Sequence, residues 1–245
     1  MRRAATLLFL VCLLFDSVGQ SDHSATDSDT RLGFYFSGNL SYLTANNIEG
    51  PTVRYLKEPG AGYKAGVTIH HGLSSRFTLE TSLGYVFERS NYRFERWGGN
   101  PSAMVAYSEA HSTYSWLEVP LSLNYAFWRR DKVSYFAGIG LSVRKLLKAS
   151  TDVSVLLGNG FTFNSSLNSG VNEWNFFPTI QAGCHFELSD NSRLTVLASY
   201  QQSISSWYQT SGIPPGADSH YGNPDFVQHC INLGVVYSVN LKSLK

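Results

Sequence analysis

Six charged side chains and two imidazoles fall where strand alternation would gather them on one surface: Lys64, Glu80, Glu118, Arg144, Glu187 and Arg193, with His70 and His185. Carboxylates, guanidinium groups and imidazoles in such company could relay protons or ions, or could neutralise one another. A charge removed from water is costly unless it meets a partner. Mutual pairing into a structural plug of salt bridges is therefore expected, with a proton or ion path as the alternative. Two other sets hold the residue types of nucleophilic catalysis: Glu109, His111 and Ser112, and Asp218, Ser219 and His220. That chemistry needs the base held against the nucleophile. Both sets lie in polar stretches read as loops, with no strand spacing to fix their geometry, so no catalytic residue is assigned. His70 and His71 are adjacent, and neighbours on a strand point to opposite faces, so the two cannot chelate one metal. Gly158-Asn159-Gly160 lacks the strand–helix context of a phosphate cradle and reads as a loop tip. No metal and no cofactor is expected.

The elements that must carry these side chains are eight segments of period two. Residues i and i+2 of a strand share a face. In the first segment, from Gly33, Phe34, Phe36, Leu40 and Tyr42 oppose Ser37, Asn39 and Ser41. The others are 61–71, 75–88, 113–127, 132–146, 174–188, 192–204 and 227–241. In 113–127, for instance, Leu117, Val119, Leu121, Leu123 and Tyr125 oppose Glu118, Ser122 and Asn124. Most of these runs exceed the roughly five or six residues of an ordinary strand and suit the roughly 9–11 of a tilted membrane-crossing one. Long connections (43–60, 89–112, 147–173, 205–226) alternate strictly with short ones (72–74, 128–131, 189–191), which puts both termini on the short-turn side. An all-β, eight-stranded antiparallel up-and-down transmembrane β-barrel has this layout, with short periplasmic turns and longer outward loops. Pro120 lacks an N–H for the ladder and predicts a bulge near the outer end of the fourth strand.

Alternation alone does not say which face looks outward. A soluble barrel turns its apolar face inward and a membrane barrel turns it to lipid. The polar face here is rich in Gly, Ser, Thr and Asn, small residues that fit a narrow lumen, and carries few of the Lys and Glu of a water-facing exterior. Aromatic residues gather at both ends of the apolar stripes. Phe34, Phe77, Tyr125, Phe127, Tyr135 and Phe186 lie toward the short turns, and Tyr42, Tyr63, Tyr85, Phe87 and Tyr200 toward the long loops. Two such levels read as interfacial girdles. Charged residues make up 15% of the 245 residues, against roughly 25% in a soluble domain, and aromatics 14%. The formal net charge of +1 leaves no basic excess for phosphates, which excludes a nucleic-acid binder driven by charge. The slightly negative mean hydropathy is too low for a bundle of membrane helices.

Residues 1–19 read as a secretory signal peptide: Arg2 and Arg3, an apolar run from Leu7 to Phe15, then Ser17 and Gly19 before the cut. Residues 20–31 read as a flexible polar leader and 32–245 as the barrel domain. Cys184 and Cys230 fall on opposite faces, which predicts no disulfide between them. In the last segment Asn232, Gly234, Tyr237 and Val239 resemble the C-terminal signal that outer-membrane barrels present to the insertion machinery.

The stretch Tyr114-Ser-Trp-Leu-Glu118-Val-Pro120-Leu-Ser-Leu-Asn-Tyr125 resembles the fourth strand of the PorT-like outer-membrane β-barrel domain family, typical of Bacteroidota, and Phe136-Ala-Gly-Ile-Gly140 resembles its next strand. Glu118 and Pro120 match recurrent positions of that family. The resemblance covers roughly residues 31–241 and implies an eight-stranded barrel in a bacterial outer membrane. It carries no catalytic motif. The expected role is therefore non-enzymatic: structural or recognition work, or a subunit of an envelope complex of the type IX secretion kind. A small pore or transporter is the alternative, and a lipid-modifying enzyme a third reading. Outer-membrane lipid and the barrel-insertion machinery are expected partners, with secretion-complex subunits a further possibility. The termini are expected in the periplasm, and the long outward loops, with Trp97, Trp207 and Tyr221 among their aromatics, are expected to carry whatever recognition exists.

Overall fold

The computed structural model describes residues 29–46, 53–97, 104–157, 162–167, 172–204 and 225–244. Period-two alternation becomes extended backbone almost throughout. The strands are β1 (Thr30–Asn46), β2 (Val53–Glu58), β3 (Gly60–Gly72), β4 (Phe77–Trp97), β5 (Met104–Arg130), β6 (Val133–Leu157), β7 (Thr162–Leu167), β8 (Trp174–Ser189), β9 (Ser192–Gln202) and β10 (Asp225–Asn240). A short 3-10 turn, Leu241–Leu244, follows. β1 pairs with β3, β3 with β4, β4 with β5, β5 with β6, β6 with β8, β8 with β9, β9 with β10, and β10 returns to β1, every pair antiparallel. Eight strands thus close into an up-and-down barrel with no edge among them, the condition for extended chain to sit in hydrocarbon. β2 and β7 lie outside the ring: β2 pairs with the far end of β4 and β7 with the far end of β6.

The inversion of polarity is visible in exposure. Phe34, Ile139 and Leu233 are 67%, 67% and 66% exposed, whereas Ser142, Asn232 and Asn124 are 0%, 2% and 2% exposed. Apolar side chains point out and polar ones line the axis. At the short-turn rim the outward rings pack in pairs, Phe77 on Tyr125 (5.1 Å between centroids) and Trp128 on Tyr135 (5.2 Å). At the other rim Tyr63 packs on Phe87 (5.5 Å), and Tyr200 Oη hydrogen-bonds His229 Nδ1 (2.7 Å).

The structure departs from the sequence reading at several points along the chain. β1 begins at Thr30, inside the segment read as leader, because Asp29 and Arg31 are anchored by side-chain bonds described below. The connections 43–60, 89–112 and 147–173 are not loops throughout: the ladders of β4, β5 and β6 continue into them, with β2 and β7 alongside. Those stretches mix small polar and aromatic residues, which pair well as strands without showing a clean apolar face. No bulge forms at Pro120. The β4–β5 ladder skips two pairs there without changing register, and the Pro120 carbonyl accepts a bond from Thr81 Oγ1 (3.2 Å). The irregularities of β5 against β6 lie instead at Ser115/Trp116 and at Ala126/Trp128. The second inserts a residue, so Phe127 and Trp128 both face out and Arg129 turns to the inner face, opposite Ser134.

Candidate functional site

Register builds the upper lumen. Glu118 on β5 and Arg144 on β6 are direct cross-strand partners on the inner face. Arg144 donates from Nε to Glu118 Oε1 (2.9 Å), from Nη1 to Glu88 Oε1 (2.8 Å) and from Nη2 to Gln201 Oε1 (2.7 Å). Its guanidinium lies 4.0 Å from the ring centroid of Phe177, a cation–π contact in a water-poor place. Lys64 Nζ reaches Glu118 (3.3 Å) and also donates to Gln201 Oε1. Glu88 accepts further bonds from Gln228 Nε2 (2.8 Å) and Cys230 Sγ (3.3 Å). Gln201 is the hub: its Nε2 also donates to Ser142 Oγ (3.0 Å) and Thr179 Oγ1 (3.2 Å). Two cations and two carboxylates, all buried, are balanced and nearly saturated with partners, the arrangement in which buried charge is tolerated.

Below this cluster Tyr35 crosses the lumen over Gly66 and Gly84, which face each other in the β3–β4 ladder; a side chain at Gly84 would meet the Tyr35 ring. Glu80 comes next. Among the described residues it has no cation partner, being held by Asn124 Nδ2 (2.9 Å) and Gln181 Nε2 (3.4 Å) instead. Glu80 therefore stands in the lumen but outside the salt bridges expected for it.

A second cluster closes on the short-turn side. Arg193 donates from Nε to Glu187 Oε1 (2.6 Å) and lies 3.7 Å from Asp29 Oδ2. Arg31 donates to Asp29 Oδ2 (2.7 Å) and stands 3.2 Å from Glu187 Oε2. Asn240 Nδ2 caps Asp29 Oδ1 (2.7 Å), which ties the two ends of the barrel chain together. His185 stacks on Phe136 (4.4 Å between centroids) and bonds Thr195 Oγ1 through Nδ1 (2.7 Å). His70 is 2% exposed, and among the described residues neither ring nitrogen has a hydrogen-bond partner.

Of the residues singled out in the sequence, Lys64, Glu118 and Arg144 thus meet in one cluster, and Glu187 and Arg193 in another, with His185 nearby. Glu88, Arg31 and Asp29 were missed. Glu88 shares the inward parity of Glu80 and Ser82, which was the available signal, but it stood at the end of a segment read as entering a loop. His111 and Ser112 lie on β5 rather than on a loop. His111 is exposed, with Nδ1 3.0 Å from Asn91 Oδ1, whereas Ser112 is buried and bonded to Thr151 Oγ1 (3.0 Å). They point to opposite faces and form no dyad. Asp218, Ser219 and His220, with Trp207 and Tyr221, lie outside the described residues. Among the described residues no group of three His, Cys, Asp or Glu could hold a metal. Cys184 and Cys230 are free thiols, Cys230 buried in the upper cluster. Asn232 is buried in the lumen, Gly234 approaches Ser37 of β1, and Tyr237 faces out.

A closed ring of eight strands, greasy outside and charged inside, defines a transmembrane β-barrel. Residues 19–209 match the family model described as outer membrane protein beta-barrel domain, and the chain belongs to that family, whose members are placed in the bacterial outer membrane. Among solved structures it is similar to the attachment invasion locus protein Ail of Yersinia pestis (10% identity, 86% of this chain and 99% of that chain, TM-score 0.35). It is similar also to Neisserial surface protein A (15%, 85% and 97%, TM-score 0.36) and to OprG of Pseudomonas aeruginosa (10%, 87% and 97%, TM-score 0.42). No curated protein sequence matches the chain.

Proposed function

We propose that the chain is a non-enzymatic barrel that blocks its own lumen and works as a membrane-embedded platform, with its outward loops as the recognition surface. The observation that carries this reading is the Arg144 cluster. Side chains from β3, β4, β5, β6, β9 and β10 converge there through Lys64, Glu88, Glu118, Arg144, Gln201 and Gln228. Such a cross-brace fills the section of a small barrel, where side chains leave little room for a channel. The Tyr114–Tyr125 stretch supports the finer reading, a PorT-like subunit of an envelope secretion complex with both termini in the periplasm after removal of the signal peptide. Asn232, Gly234, Tyr237 and Val239 on the closing strand would then serve the insertion machinery, and the exposed apolar belt would contact outer-membrane lipid. The test is conductance of the purified full chain in planar bilayers. Silence at moderate voltage is expected, and a stable single-channel current would replace this reading with a small pore. Co-elution with secretion-complex subunits from native membranes is expected for the finer reading, and a protein that elutes alone would refute it.

A further inference from the structure

Between the lower cluster and the short-turn rim lies a cavity of about 260 Å³. Its deep wall is formed by His70, Asn124, Phe136 and His185, all buried, and its mouth by exposed Arg76 and Arg129. Three features give it a chemical preference. Among the described lining residues the only carboxylate, Asp29, is already engaged by Arg31, Asn240 and the nearby Arg193, and Glu80, which faces His70 across the β3–β4 ladder, is held by Asn124 and Gln181. Among the described residues no carboxylate pairs with Arg76 or Arg129; the Arg76 guanidinium donates to the Tyr125 hydroxyl (3.1 Å). His70 faces the cavity with neither nitrogen bonded to any described residue, a costly state for a buried imidazole unless something polar enters.

The position of Arg129 has a structural cause. In a regular strand it would share the parity of Leu123 and Tyr125 and face lipid. The extra residue at Ala126/Trp128 turns it inward instead, and re-aiming a side chain is a known use of a bulge.

We propose that this vestibule is a binding site for a small phosphate-type oxyanion, with Arg129 and Arg76 holding the charge at the mouth and the His70 ring donating a hydrogen bond from the floor. Guanidinium groups suit this ligand because they present several fixed donors to its oxygens. The oxyanion could arrive as free phosphate or as the headgroup of an anionic lipid at the rim.

The test uses the full chain in a phosphate-free maltoside detergent. Inorganic phosphate is titrated while calorimetry and the histidine-ring NMR signals are followed. Saturable binding is expected, with the His70 signal moving in parallel. Arg129→Gln should weaken binding about tenfold, the scale of one lost hydrogen bond to a charged group. Because Arg129 is exposed, this variant should fold like the parent and match its mobility on unheated gels. Nanodiscs of phosphatidylglycerol, compared with a phosphate-free glycolipid, separate the two sources. A shifted His70 signal in phosphatidylglycerol alone assigns the site to a lipid headgroup, and a shift that needs added phosphate assigns it to the free anion. No saturable response in either arm, or unchanged affinity in Arg129→Gln, would overturn the proposal.

Discussion

Around Arg144 two cations meet two carboxylates whose side chains are at most 6% exposed; around Arg193 two cations again meet two carboxylates, yet Asp29 and Glu187 keep 36% and 29% of their side-chain surface. The formal charge balance is the same. What differs is the surroundings. The upper quartet is wrapped by Gln201, Gln228 and the Phe177 ring, and the lower one borders an open vestibule. In the first, low dielectric makes each partner indispensable to the others. In the second, water can replace a lost partner. The same residue types therefore form a rigid plug at one level and an adaptable rim at the other.

The sharpest way to break this contrast is Arg144→Met. It leaves Glu88 and Glu118 buried with Lys64 as the remaining cation, and removing one member of a buried ion group costs about 3–5 kcal/mol. Urea unfolding of the barrel in lipid vesicles, followed by tryptophan fluorescence, measures it. A loss below about 1 kcal/mol, the scale of an exposed pair, would show that the upper cluster is as wet as the lower.

Gly84→Ala probes the floor of the plug. The new methyl would meet the Tyr35 hydroxyl and the Ala65 carbonyl, so the ring must leave its place across the lumen. Overpacking of this kind costs about 1–3 kcal/mol. The same unfolding assay should show that loss, and Tyr35→Phe in the Gly84→Ala background should recover part of it by removing the hydroxyl. No recovery would mean that the ring carbon or the Ala65 carbonyl, rather than the hydroxyl, sets the limit.

Much of this architecture was legible in the alternation, because lipid enforces a strict rule: outward residues must be apolar along the whole crossing. Phe34, Ile139 and Leu233 obey it, and Ser142 and Asn232, on the same strands as the last two, take the inward face. The rule weakens where lipid ends, and so did legibility. Glu88 and the outer ladders of β4 and β5 lie where both faces are polar or aromatic, and alternation there carries no contrast. Arg31 was hidden in a polar leader because its strand character comes from pairing with His70 and Asn240, not from its neighbours in the chain. Arg129 was hidden for a different reason. A one-residue insertion reverses parity, and nothing in Ala126-Phe127-Trp128-Arg129 marks where the register slips. Glu80 showed that inward parity brings a charge into the lumen without deciding its partner: two amides reached it before any cation did.

At the lower rim Glu187→Gln should cost no more than about 1 kcal/mol, since its partners Arg193 and Arg31 keep Asp29 and gain solvent. The loss should shrink further as salt is raised, because partly exposed pairs are screened far more than buried ones. Parallel unfolding curves at low and high ionic strength check this, with Arg144→Met as the insensitive control. Equal salt sensitivity in the two variants would erase the distinction between the levels.

Thiol chemistry reads the same distinction without perturbing stability. Cys230 is 0% exposed and donates to Glu88 inside the plug, whereas Thr78 lines the vestibule on the inner face of β4. In a Cys184→Ala background, a water-soluble maleimide should label a Thr78→Cys variant quickly and leave Cys230 untouched until urea unfolds the barrel. Both reporters face the lumen, so neither rate depends on entry from the lipid side. Water that reaches Thr78 must still pass the Tyr35 ring and the Gln201 hub to reach Cys230, and it is this step that the two rates compare. Similar rates for both thiols in the folded barrel would mean that solvent reaches the Arg144 level from one mouth or the other, and the salt bridges there would then not form a dry plug.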